Sequence, residues 1–159
     1  MMLKYCIGLC LLAMSSFVLA QPQTWYFVRH FEKQTGDNPS LTKTGKARAE
    51  ALAEFFSDKS LTHVFSTNYN RTQQTATPVA TLKNMPIEDY DPRKLVEFAA
   101  KLKTLDHVLV VGHSNTTPQI LSLMGGEEIK LEEGDFGVVY MLQKHNREYS
   151  TKSINITIE

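Results

Sequence analysis

Four residues of this 159-residue chain have the types and placement for work on an anion: Arg29 and His30 in VRHFEK, Arg71 in STNYNRTQQTA, and His113 in VVGHSN. Arginine presents a planar, permanently charged fork that matches the oxygens of a phosphate or carboxylate. Histidine presents a nitrogen that switches charge near neutral pH, and its neutral ring can act as a nucleophile. Two of each suit capture of an oxyanion and its transfer to a ring nitrogen. Other chemistry lacks its parts. The sequence has no Walker-type glycine loop and no carboxylate cluster arranged for magnesium. Zinc needs three protein ligands, and the histidine pair has no evident third. No metal and no other cofactor are expected.

These side chains can cooperate only if the fold gathers them, and the elements between them suggest how. TWYFV (24–28) reads as a strand, GDNPS (36–40) as a loop, and residues from Thr42 as a helix with Thr42 as N-cap. HVFS (63–66) is a second strand. Residues 70–84 form a helix that Pro78 should bend or effectively start. IEDYDP (87–92) is extended, 94–105 an amphipathic helix, and HVLVVG (107–112) apolar enough for a strand buried on both faces. A helix follows over 117–126. Strands over 137–143 and 150–158 then meet at a turn around His145-Asn146. Strands alternating with helices, then a hairpin, predict an α/β fold: a three-layer αβα sandwich on a mainly parallel sheet with antiparallel edge strands. Ligands of such sheets bind outside the carboxyl ends of the strands. Arg29-His30, Ser66-Thr67 with Arg71 beyond, and His113 all fall there. His63 and His107 open strands at the other end and are expected to be structural or exposed.

Composition narrows the setting. Hydrophobic residues make up 42% and charged residues 21%, with 17 basic and 17 acidic side chains. Such balance gives no reason to expect nucleic acid or an anionic membrane as partner. The chain starts MMLK, continues with an apolar YCIGLCLLAM, and reaches SSFVLA, the build of a secretory signal peptide cut after Ala20. Residues 21–159 then form one domain in a bacterial periplasm, with no stable membrane insertion after cleavage. Both cysteines, Cys6 and Cys10, leave with the signal, so no disulfide or thiolate chemistry is expected.

The ordered motifs VRHFEK, LTKTGKARAEALA, VFSTNYNRTQQTA and VVGHSNTTPQIL resemble the histidine phosphatase superfamily, in its phosphoglycerate mutase-like branch. Short exported members with an RHxEK motif are the nearest likeness, which runs from about residue 25 to about residue 140. The resemblance implies a phosphoglycerate mutase-like fold and a covalent phosphohistidine. It gives His30 the nucleophile's place, Arg29 and Arg71 the phosphate clamp, and His113 the second histidine of the pocket. The implied activity is an exported, metal-independent phosphomonoesterase acting on a phosphorylated small molecule or phosphoprotein. A phosphomutase and a non-catalytic phospho-ligand binding module of the same fold are the alternatives.

Three positions depart from the family pattern or leave a choice. A leaving alkoxide needs a proton donor, usually a carboxyl group. One branch places an aspartate directly after the second histidine, where this chain has Ser114. The other takes a glutamate from the segment after the second helix, where PIEDYDP offers Glu88, Asp89 and Asp91, with Glu88 or Asp91 favoured. Lys33 stands where many relatives have a small hydroxyl residue and would add a cation near phosphate or pair with Glu32. Phe31 replaces a glycine or alanine and would either wall the pocket or belong to the core. Asn38 and Ser40 could reach substrate from their loop.

Overall fold

The structure, a computed structural model, describes residues 22–158. The expected signal peptide lies outside the described residues. In chain order the elements are β1 (Gln23–Arg29), α1 (Lys43–Phe55), β2 (His63–Ser66), α2 (Asn70–Leu82) and β3 (Ile87–Asp89). Then come α3 (Leu95–Leu102), β4 (Val108–Gly112), α4 (Thr116–Leu123), β5 (Val138–His145) and β6 (Glu148–Asn155).

The sheet follows from side-chain alternation. In β1, Trp25 and Phe27 point to one face and Tyr26 and Val28 to the other, and all four are buried. In β4, Val108 and Val110 oppose Leu109 and Val111 in the same way. Strands apolar on both sides need a helical layer on each face. α1 and α2 cover Tyr26, Val28, Val64, Leu109 and Val111, while α3 and α4 cover Trp25, Phe27, Phe65, Val108 and Val110. Burying a side chain of Leu or Phe size stabilises the fold by ~1.5–3 kcal/mol, so these two apolar layers dominate cohesion.

The strand order is β3-β2-β4-β1-β5-β6. β3, β2, β4 and β1 run parallel, while β5 and β6 add an antiparallel edge. The α/β sandwich is therefore as expected. Register matters most for function. Arg29 sits opposite Gly112 and Ser66 opposite Val111, so β1, β2 and β4 end level with one another. The segments leaving those ends share one rim.

Local chemistry explains most boundaries. Thr42 caps α1, its hydroxyl accepting from Gly45 N. Asn146 takes the left-handed conformation (φ 57°) in the β5–β6 turn, where Asn is tolerated. Three expectations need correction. α2 does not start at Pro78: it begins at Asn70 and is continuous past the proline. Its first turn is held from outside, because Asn38 Oδ1 accepts from Asn70 N at 2.9 Å. α3 stops at Leu102, short of 105, as Thr104 turns its hydroxyl back onto Lys101 O. β6 stops at Asn155, because the next carbonyl, of Ile156, is taken by Arg48 Nη1 at 2.7 Å.

Candidate active site

The rim carries a cleft of about 640 Å³ whose floor includes Arg29, His30, Arg71 and His113. The backbone fixes each of them. His30 N donates to Gly112 O at 2.9 Å, tying the end of β1 to the end of β4. Phe31 N donates to Thr75 Oγ1, which itself donates to Arg71 O at 2.8 Å, so the β1 exit is bonded to the first turns of α2. Gly112 permits the closeness. A Cβ there would stand 2.8 Å from both Thr116 Oγ1 and the Tyr90 hydroxyl.

His30 is 3% exposed. Its Nδ1 lies 2.8 Å from Phe31 O. A carbonyl only accepts, so Nδ1 carries the proton and Nε2 keeps its lone pair. Nε2 has no hydrogen-bond partner among the described residues, and the ring lines the cleft. Burial pushes the His30 pKa down to about 4 from 6.5. The Phe31 carbonyl opposes that shift, while Arg71, His113 and Arg29 reinforce it. The ring is therefore neutral at pH 7, as a nitrogen nucleophile must be. His113 stands 5.6 Å away between ring centroids, its pKa lowered to about 4 by burial and then by Arg71 and Arg29.

The arginines are restrained differently. Arg29 lies over the Phe136 ring at 4.2 Å and donates through Nη1 to Glu132 O and Asp135 O. Arg71 lies over Tyr69 at 4.8 Å and approaches His113 Nδ1 at 3.3 Å. Burial lowers the pKa of both guanidinium groups. The Nε of each is buried without an acceptor among the described residues. Donors without acceptors around one cleft create an imbalance that an oxyanion corrects.

Lys33 joins this group. Of its two expected roles, the pairing with Glu32 does not form, because Arg48 holds Glu32 with Nη2–Oε1 at 2.6 Å and Nε at 3.1 Å from both oxygens. Lys33 instead lines the cleft, its backbone bridged to Leu41. The two carboxylates expected as acid are elsewhere. Glu88 projects from β3 toward His63 (3.8 Å) and Lys101 (3.3 Å). Asp91 is gripped by Arg93, which holds its pKa down to about 2, the wrong direction for a proton donor. Neither is among the residues lining the cleft. Phe31 is 0% exposed and belongs to the core layer under α1 and α2, so it is not a pocket wall. Asn38 caps α2, and Ser40 accepts from Gln74.

The cleft also contains residues that sequence reasoning missed. Tyr69 follows the end of β2, and Pro92 and Arg93 follow β3, so the strand-end rule could have found them. Glu133 comes from the non-repetitive stretch before β5, which carries no periodic signal. Among the described residues no three His, Cys, Asp or Glu side chains gather as a metal-binding group.

Residues 24–100 match the family model of the histidine phosphatase superfamily (branch 1). The fold matches the protein histidine phosphatase SixA complexed with tungstate at a TM-score of 0.67 and 13% identity, covering 83% of this chain and 96% of that one. It matches the alpha-ribazole phosphatase of Shigella flexneri at 0.67 and 17% identity, covering 86% and 99%. A mycobacterial glucosyl-3-phosphoglycerate phosphatase matches at 0.64 and 9% identity, covering 87% and 100%. At such identities the likeness is one of fold. A search of curated proteins finds no match.

Proposed function

Because this chain belongs to the histidine phosphatase superfamily, branch 1, we propose that it is an exported phosphomonoesterase working through a phosphohistidine on His30, without a metal. Family and fold together support a phosphatase. The observation that carries the finer reading is the state of His30: Nδ1 bonded to Phe31 O, Nε2 open, and the ring neutral between two arginines. Nε2 attacks phosphorus, the N–P bond forms as the P–O ester bond breaks, and the leaving oxygen takes its proton from the ester monoanion or from water. Water then attacks phosphorus, releasing phosphate and restoring His30. Arg29, Arg71 and Lys33 bind the equatorial oxygens, whose charge dominates the transition state. Export rests on the residue pattern of positions 1–20.

The placement of the acids favours a particular substrate class. With Glu88 and Asp91 off the cleft, the carboxylate lining it is the exposed Glu133. Leaving groups that need little protonation from the enzyme suit this site: aryl esters or, beyond monoesters, the N–P bond of a phosphorylated protein histidine whose other ring nitrogen already carries a proton. Hydrolysis of p-nitrophenyl phosphate in EDTA, with His30→Ala beside the parent, tests the reading. Turnover should persist in EDTA and fall about 10³-fold or more in the variant. Phosphate or vanadate binding without turnover in either protein would leave a binding module instead.

A further inference from the structure

His113 is held by a hydroxyl chain that the proposed chemistry has not yet used. Thr72 Oγ1 lies 2.8 Å from Thr67 O and 2.9 Å from Tyr69 O. Carbonyls only accept, so the single hydrogen of Thr72 goes to them. Thr72 Oγ1 therefore accepts from Thr67 Oγ1, 2.9 Å away. Having given its hydrogen, Thr67 can meet His113 Nε2, at 2.9 Å, only as an acceptor. The opposite side of the ring gives the same answer independently. Arg71 Nη2, which only donates, faces Nδ1 at 3.3 Å, so Nδ1 holds the lone pair. Both threonines are fully buried, and no bulk water competes for these bonds. Thr116 Oγ1 fixes the backbone, accepting from His113 N at 2.9 Å.

We propose that Thr67 and Thr72 are positioning residues that set the tautomer of His113, directing its Nε2–H inward and leaving Nδ1 to meet the phosphoryl group. The proposal rests on the reading that this cleft transfers a phosphoryl group. When a phosphate ester binds, its oxygens become acceptors for Arg71. A proton from the ester monoanion or from water then adds at Nδ1, which donates it to a phosphoryl oxygen as a hydrogen bond. The resulting imidazolium has both N–H groups satisfied, Nδ1 by phosphate and Nε2 by Thr67. Without the chain the ring can reverse its tautomer. A buried charged N–H then has no acceptor.

The test pairs Thr67→Val and Thr72→Val with Thr67→Ser and Thr72→Ser, assayed with p-nitrophenyl phosphate and by NMR of protein labelled with ¹⁵N-histidine. At pH 7 the parent should show His113 protonated at Nε2 and not at Nδ1. Thr67→Val, left with only the 3.3 Å Arg71 contact at Nδ1, should weaken that preference and lower kcat about tenfold or more, with KM changing less, since a reversed tautomer misdirects the proton. The acid limb of its kcat profile should shift, and Thr67→Ser should restore the parent's behaviour. Thr72→Val should act in the same direction, more weakly. An Nδ1–H tautomer in the parent overturns the proposal, and so does a Thr67→Val protein with parental tautomer and pH profile. The NMR result needs no turnover. An inactive parent with the expected tautomer would therefore sink the phosphatase reading and leave the hydroxyl chain standing.

Discussion

At one end of the sheet His30 and His113 stand 5.6 Å apart beside two arginines; at the other, His63 faces Glu88 at 3.8 Å and His107 faces Asp106 at 3.1 Å. The four rings lie in the same three strands or directly beside their ends. Their surroundings differ because the carboxyl ends of parallel strands open into loops and helix starts, which deliver Arg71 and the bonds that orient it. The opening ends meet Thr62, Asp106 and the α3 lysine, Lys101. Histidine chemistry thus depends on what the chain places beside the ring. Burial and cations keep His30 and His113 neutral, with Nε2 of His30 open, while carboxylates engage the other pair in ordinary polar contacts.

The largest effect that sharpens this contrast should come from Arg71→Lys. Charge is kept, but the fork and its restraint over Tyr69 are lost. kcat/KM toward p-nitrophenyl phosphate should fall by about 10²-fold, as for loss of a transition-state donor. Parental kinetics would show that charge alone matters at that end.

A second effect concerns pH. His30 and His113 titrate near 4 in the folded protein, against an ordinary 6.5. The nucleophile is the neutral ring, so kcat/KM should hold from pH 7 down to about 5 and fall as pH passes through about 4. Stability moves in the same sense. The unfolded chain takes up these protons near 6.5 and the folded chain only near 4, so the contribution is complete above 6.5 and lost as pH falls through 4. A limb centred at 6.5 would mean that burial and the arginines do not hold the cleft rings neutral.

The smallest effects belong to the opposite end. His63→Ala and His107→Asn should leave kcat/KM within about twofold, as for polar groups remote from the chemistry. Asn is chosen because His107 sits at φ 55°, a conformation Asn tolerates. A tenfold loss in either variant would mean that the two ends communicate.

Much of the framework was legible without coordinates. β1, β2 and β4 carry apolar runs buried on both faces, and their polar exits mark Arg29, His30 and His113 as rim residues. Arg71 was legible because it falls in the first turn of the helix after β2. Lys33 was only half legible, since nothing local indicates that Glu32 prefers Arg48 on α1. Glu88 and Asp91 misled for a similar reason. Reach to the leaving group depends on where β3 points its side chains, and Glu88 points toward Lys101. Phe31 was undecided because the residue after a strand can face either loop or core.

The sequence by itself determined the order of strands and helices, the faces they bury, and the four residue types delivered to one rim. Those properties follow from periodicity and side-chain chemistry within short windows. Tertiary structure alone decided which nitrogen of His30 and of His113 carries the proton, that Thr67 and Thr72 stand behind His113, and that Glu133 lines the cleft in place of Glu88 or Asp91. The His113 and Glu133 choices depend on contacts between segments dozens of residues apart, and the His30 choice on how the neighbouring Phe31 carbonyl is turned toward the ring, which no local pattern encodes.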